Sequence, residues 1–178
     1  MRVTRLGAGD IALIAAIDRS EHVDVEYAVV DGQLAERPVF MADIPTWDPS
    51  GTGPHTVAEH IAFCGERIAK GGVLNGAFDD DRVLGLAVVN PSFEPRWAWL
   101  AWLHVNRADR RSGVARALWG EAVAIALEAA ATEMYVSATP TGSAVGFYLQ
   151  RGCRLADPAH PTLFALEPED IHLVCSLA

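Results

Sequence analysis

The chain has 178 residues, with 14 Lys and Arg against 23 Asp and Glu and a formal net charge of −9 at pH 7. That length suits one domain with a buried core, and no apolar run approaches the ~18–20 residues a membrane-crossing helix needs. The acidic balance argues against nucleic acid, whose phosphates demand a clustered basic surface, and leans towards a cationic small molecule.

In chain order, MRVTRL alternates like a short strand, and an apolar helix is expected near residues 10–19, with Asp10 as its N-cap. The aspartate inside this apolar segment and the lack of a small-residue cleavage site argue against a signal peptide, so the expected location is the cytoplasm. Residues 25–41 read as two extended runs turning at Asp31-Gly32. Residues 42–54, ADIPTWDPSGTGP, read as loop. Thr56-Val57-Ala58-Glu59 has the form of a capping box that opens a helix ending at Gly71-Gly72.

Residues 73–90 then read as two strands turning at Asp79-Asp80-Asp81, and residues 95–105, PRWAWLAWLHV, as a long aromatic strand. Residues 114–131 form the clearest helix, EMYVSA at 133–138 a buried-type strand, residues 142–151 a short helix ended by Gly152, and 171–178 a closing strand. The expected fold is a mixed α/β sheet with flanking helices.

Cys64, Cys153 and Cys175 are odd in number and widely spaced, so three buried reduced thiols are expected and no metal site. His55 and His60 stand five apart, the wrong spacing for paired metal ligands on one helix face. Ser112, Ser137 and Ser143 lack the context of a hydrolase nucleophile. Trp97, Trp99 and Trp102 read first as sheet-packing residues.

The chemistry concentrates at LHVNRADRRSGVARAL, residues 103–118, where Arg107, Arg110, Arg111 and Arg116 surround a helix start. A helix N-terminus offers unpaired N–H groups and partial positive charge, which together suit an anion. Gly113 permits close backbone approach, Val114 and Ala115 keep the first turn small, and Ser112 adds a hydroxyl. Just before it, Leu100 and Leu103 are three apart but Leu103 and Val105 two apart. One core face for all three requires a bulge between Leu100 and Leu103, which would splay the strand from its neighbour.

Arg110-x-x-Gly113-x-Ala115, followed downstream by Ala144-x-x-Phe147-Tyr148 and Gly152, resembles the two motifs of the GNAT superfamily, the acyl-CoA-dependent N-acetyltransferases. The resemblance covers about the last two-thirds of the chain. It implies a mostly antiparallel sheet with one bulged strand splayed from a parallel neighbour. It also implies acetyl-CoA as cofactor, with the pyrophosphate cradled from Arg110 to Arg116 and the pantetheine arm beside the backbone of Leu103, His104 and Val105. Thr141, Ser143, Phe147 and Tyr148 would complete the cofactor site. Departures are Arg107 and Arg111 where proline and glycine are frequent, Thr141 near a frequent asparagine, and Cys153 in place of an aromatic.

By the same resemblance, residues 1–178 form a single domain, with 1–70 on the acceptor side and 71–178 supplying the sheet and cofactor core. The backbone N–H of Leu103 would stabilise the oxyanion and Tyr148 would protonate the departing thiolate. His104 and Glu94 are the candidates for the base, alongside proton loss to water. Glu26, Tyr27 and Trp47 are the candidates for holding a cationic amine. A homodimer fits the resemblance equally. So do a protein N-terminus or lysine as acceptor, a longer acyl donor, or a non-catalytic acyl-CoA sensor.

Overall fold

The computed structural model describes residues 1–48 and 55–177; part of the loop expected at 42–54 therefore lies outside the described residues. Strand β1 (Arg2–Leu6) leads into the helix expected near 10–19, which is a 3-10 segment and runs earlier, over Ala8–Ala16. Gly7 takes the cap position, and the Asp10 carboxylate reaches back to accept from Gly7 N at 2.9 Å. Two-residue β2 (Glu21–His22) pairs with β5 (Asp43–Ile44), and β3 (Glu26–Val30) pairs with β4 (Gln33–Arg37). The hairpin turns at Asp31-Gly32, both at positive φ, as a two-residue turn of that handedness requires.

Helix α1 (Val57–Ala69) starts on Thr56, whose hydroxyl accepts from Glu59 N. Then come β6 (Val73–Asp79), β7 (Arg82–Glu94), β8 (Trp97–Val105), α2 (Val114–Glu128), β9 (Glu133–Ala138) and α3 (Gly142–Leu149). The chain closes through β10 (Arg154–Leu155), α4 (Pro161–Leu166) and β11 (Ile171–Ser176). The seven-stranded sheet runs β1-β6-β7-β8-β9-β11-β10, with β8 and β9 its one parallel pair. Strand β1 thus joins the sheet, although it lies within the segment assigned by sequence to the acceptor side.

Each face of the sheet has its own core. Strand alternation sends Ala87, Val89, Leu100, Val105, Met134 and Val136 to the face covered by α2 and α3. Helix α2 meets them with Val114, Leu118, Ala122, Ile125 and Ala126, one stripe at helical spacing. The opposite face carries Leu86, Val88, Trp102, Trp99 and Tyr135 under the 3-10 segment, α1 and α4. Cys64 is a buried free thiol on that side, but Cys153 and Cys175 are joined in a disulfide, which corrects the expectation of three thiols. Their separation of 22 residues gives no sequence signal of contact, which comes only from the placement of β11.

Candidate active site

The strand irregularity inferred from leucine spacing is present. Val88 lies opposite Trp102 and Val89 opposite Leu100, so Ala101 is the extra, bulged residue of β8. Parallel pairing between β8 and β9 runs from Trp97↔Glu133 to Leu100↔Val136 and stops there. Beyond Leu100 the two strands part, and a cleft opens between residues 101–105 and the end of β9.

Alternation decides which backbone groups face that cleft. His104 turns its carbonyl towards β7, where a side chain on Gly85 would meet it at 2.9 Å, and Asn106 N donates to Leu84 O on the same strand. Leu103 and Val105 therefore direct their backbone groups away from β7, into the cleft. His104 contributes a side chain to the opposite face of the sheet and no backbone edge to the cleft.

The helix start that follows has no side-chain cap. The contrast with α1 and α3 is direct, because Thr56 and Thr141 cap those helices. Arg111 and Gly113 both hold positive φ, 59° and 91°, and the Ser112 hydroxyl turns back to Asp109 O. The first N–H groups of α2 are left for an outside acceptor. Arg111 and Arg116 are exposed beside them. The Arg110 guanidinium is committed elsewhere, 3.1 Å from Glu21 and 2.8 Å from Arg19 O, so Arg110 serves the turn through its backbone. Uncapped turn and open strand edge together fit a nucleotide-linked thioester: one end is built for phosphates, the other for an extended amide-bearing arm.

Helix α3 begins where β9 ends. Thr141 caps it through Ala144 N, and Ser143 Oγ stands 3.2 Å from Thr141 Oγ1. Phe147 packs edge-on to Tyr148, and Trp119 of α2 packs against both. Tyr148 is 7% exposed, and this burial pushes its phenol well above the usual range, so it keeps its proton at neutral pH.

On the opposite face of β8, His104 meets Trp47, His60 and Trp102 with ring centroids 6.2, 6.3 and 4.5 Å away. Trp102 Nε1 donates to His60 Nδ1 at 3.0 Å, and the Arg19 guanidinium lies over Trp47. Burial, with His60, Arg19 and Arg110 nearby, pushes His104 down to about 3; burial and Arg19 take His60 to about 4. Both imidazoles are neutral at pH 7. A base whose conjugate acid has so low a pKa holds a proton poorly. His60 and Arg19 were missed in the sequence. The available signal was His60 and Phe63 three apart on α1, which places them on one face of that helix.

The other sequence candidates scatter. Glu94 sits at the far end of the β7–β8 hairpin, paired with Trp97 across the turn and bonded to His160 Nε2 at 3.0 Å. Glu26 is locked by Arg37 and by Phe40 N, and those contacts hold its carboxyl below the usual range. Tyr27 donates its N–H to Pro140 O, which fastens the β3–β4 hairpin to the β9–α3 junction. Of the three acceptor-side candidates, Trp47 alone stands with the β8 cluster. Among the described residues no group of His, Cys, Asp and Glu could hold a metal ion, and no helix is long and apolar enough to cross a membrane.

A profile described as the acetyltransferase (GNAT) family matches residues 39–153. The chain belongs to the GNAT acetyltransferase family. Among solved structures it is similar to a nourseothricin acetyltransferase, at 22% identity and a TM-score of 0.73 over 99% of this chain and 98% of that one. A putative streptothricin acetyltransferase from Bacillus anthracis str. Ames, in complex with acetyl coenzyme A, gives 16% and 0.61 over 97% and 95%. The PaiA N-acetyltransferase of Thermoplasma acidophilum, in complex with coenzyme A, gives 13% and 0.60 over 99% of each chain. Likenesses this distant establish the fold, a mostly antiparallel sheet with one splayed parallel pair. A search of curated proteins finds no match. As a GNAT member the protein is an acyl-CoA-dependent N-acetyltransferase with acetyl-CoA as its donor.

Proposed function

We propose that the protein acetylates the primary amine of a small cationic metabolite or antibiotic-like compound by direct attack on the thioester. Acetyl-CoA supplies the acetyl group in activated form. The N–H groups of Val114, Ala115 and Arg116, with Arg111 beside them, hold its phosphates. The backbones of Leu103 and Val105 pair with its pantetheine arm. Leu103 N–H donates to the carbonyl oxygen as that oxygen becomes negative. Tyr148, kept protonated by burial, gives its proton to the departing sulfur. Thr141 and Ser143 orient α3, and Phe147 packs beside Tyr148. In this reading residues 1–70 supply the acceptor side, apart from β1, and residues 71–178 the sheet and cofactor core.

The observation that carries the amine reading is the floor of Trp47, Trp102 and the neutral His60 and His104, on the face of β8 opposite α2. An amine near pKa ~10 is protonated in water, and a desolvated aromatic surface with no cationic imidazole favours the neutral nucleophile. Two structural neighbours are named as acetyltransferases of nourseothricin and of streptothricin, which supports an acceptor of that general kind. Incubation with isotope-labelled acetyl-CoA and a pooled amine extract, including nourseothricin, tests the reading by mass spectrometry. A labelled small amine is expected. Bound acetyl-CoA with slow hydrolysis only would overturn it in favour of a sensor or a protein acceptor.

A further inference from the structure

The cleft has a second wall, on β9, that none of the assignments above uses. Ser137 is the first residue of β9 past the last β8 pair, Leu100↔Val136, and so stands across the opening from the bulged Ala101. Val136 and Ala138 face α2, so alternation turns Ser137 to the other face, beside Trp99, Ala101 and Tyr135. Its cross-strand neighbour is His172 of β11. The chain from α4 returns above this pair. His172 Nε2 bonds Glu167 O at 3.0 Å, and Asp170 N donates to Glu167 O.

Three polar atoms here are buried without a hydrogen-bond partner: Ser137 Oγ, Glu167 Oε2 and His172 Nδ1, the last on a residue 5% exposed. Ser137 stands near enough to draw the Glu167 carboxyl down somewhat, yet the two complete no hydrogen bond. Orphaned buried polar groups are costly, and a set of them at one opening marks a place for a polar ligand.

We infer that Ser137, His172 and Glu167 form the amine-receiving subsite, and that the Glu167 carboxylate takes the proton the acceptor amine gives up. This rests on the N-acetyltransferase reading above. The amine nitrogen forms the N–C bond as the C–S bond breaks. Its proton passes to Glu167, the Tyr148 proton passes to the sulfur, and exchange with water resets both groups. Burial raises Glu167 above the usual carboxylate range, which matches a base to neutral pH better than the depressed imidazole of His104. The charged and titratable groups around it are Arg67 of α1, Tyr135 of β9, Asp170 and His172, with Glu169 acting on Asp170 and the Ser137 hydroxyl close by. Arg67 is stacked on Phe63 and bonded to Phe63 O. Asp170, pushed up to about 7 by burial and by Glu167 and Glu169, also lies within electrostatic reach of Tyr148.

The test compares wild type with Glu167→Gln, Glu167→Asp and Ser137→Ala. It measures CoA release with acetyl-CoA and the pooled amines across pH, and acetyl-CoA affinity by calorimetry. Glu167→Gln is expected to lower kcat about 100-fold or more with the acetyl-CoA Kd within about twofold, and to erase the acid limb of kcat/KM. Glu167→Asp restores part of the rate, and Ser137→Ala shifts the acid limb with a smaller loss. Turnover of Glu167→Gln within about threefold of wild type overturns the subsite alone. Should Glu167→Gln fail to bind acetyl-CoA, Ser137→Ala decides, and a wild-type pH profile there overturns it. A wild type that binds acetyl-CoA but acetylates no amine ends the N-acetyltransferase reading, and the subsite falls with it.

Discussion

The two faces of the central sheet are built on different principles. The face under α2 and α3 is a largely apolar cluster in which Tyr148 is, among the described residues, the sole buried titratable side chain, and in the proposed reading its ligand-facing groups are backbone N–H and C=O. The face under α1 and α4 is crowded with His60, His104, Trp47, Trp99 and Trp102 and holds polar atoms without partners. Recognition by backbone tolerates change in most side chains as long as a turn and an open strand edge survive. Recognition by side chains does not. The cofactor side is accordingly readable by motif, and the acceptor side can differ between relatives of one fold.

Gly113→Glu breaks the first half of that contrast most severely. At φ 91° a side chain is strained, and the new carboxylate would face the phosphates of the proposed cradle. Acetyl-CoA affinity measured by calorimetry should fall more than about 100-fold, while the far-UV spectrum is retained; near-normal affinity would place the cofactor elsewhere. Tyr148→Phe probes the buried phenol on that face. Its kcat should fall about 10- to 100-fold with acetyl-CoA Kd unchanged, as expected for loss of a general acid. An unaltered kcat would reduce Tyr148 to packing.

Acid sharpens the other half. His60 and His104 have folded-state values near 4 and 3, below the unfolded value of 6.5, so between these limits the unfolded chain binds more protons. Their contribution is complete above pH ~6.5 and is lost as pH falls towards the folded values. At pH 5 the loss amounts to about 2 kcal/mol for His104 acting alone, and to less for the part-exposed His60, where solvent screens the charge. Urea melts at pH 7 and pH 5 should show it, and His104→Phe should flatten its share; a slope identical to wild type would contradict the burial described. The smallest effect belongs to Thr56→Ala. Removing this cap should cost about 1 kcal/mol without touching acetyl-CoA affinity, in contrast to the side-chain-free start of α2.

What could be read in advance follows the same division. The arginine–glycine turn lies within six consecutive residues, and the Leu100, Leu103, Val105 spacing carries the bulge by itself, so both are local signals. The Asp10 helix was displaced by a single residue type: Gly7 accepted the cap position and Asp10 became its partner from inside the turn. Arg110 looked like a phosphate ligand because Glu21, its actual partner, is 89 positions away in sequence and meets it only through the fold. Glu26 was assigned to an acceptor for the same reason, since nothing in the chain order announces Arg37 and Phe40 N across its hairpin. Long-range pairing of charges is what a single sequence conceals.

The last strand, β11, lies inside the sheet, between β9 and β10. A ribosome delivers the chain from its N-terminus, so β1, β6, β7 and β8 can associate while the slot beside β9 is still vacant. Residues 167–170 reach their final place only when β11 fills that slot. During synthesis the proposed phosphate-binding turn can thus form before the proposed acceptor wall exists, and a nascent chain paused at α3 would hold that cradle without the means to use it.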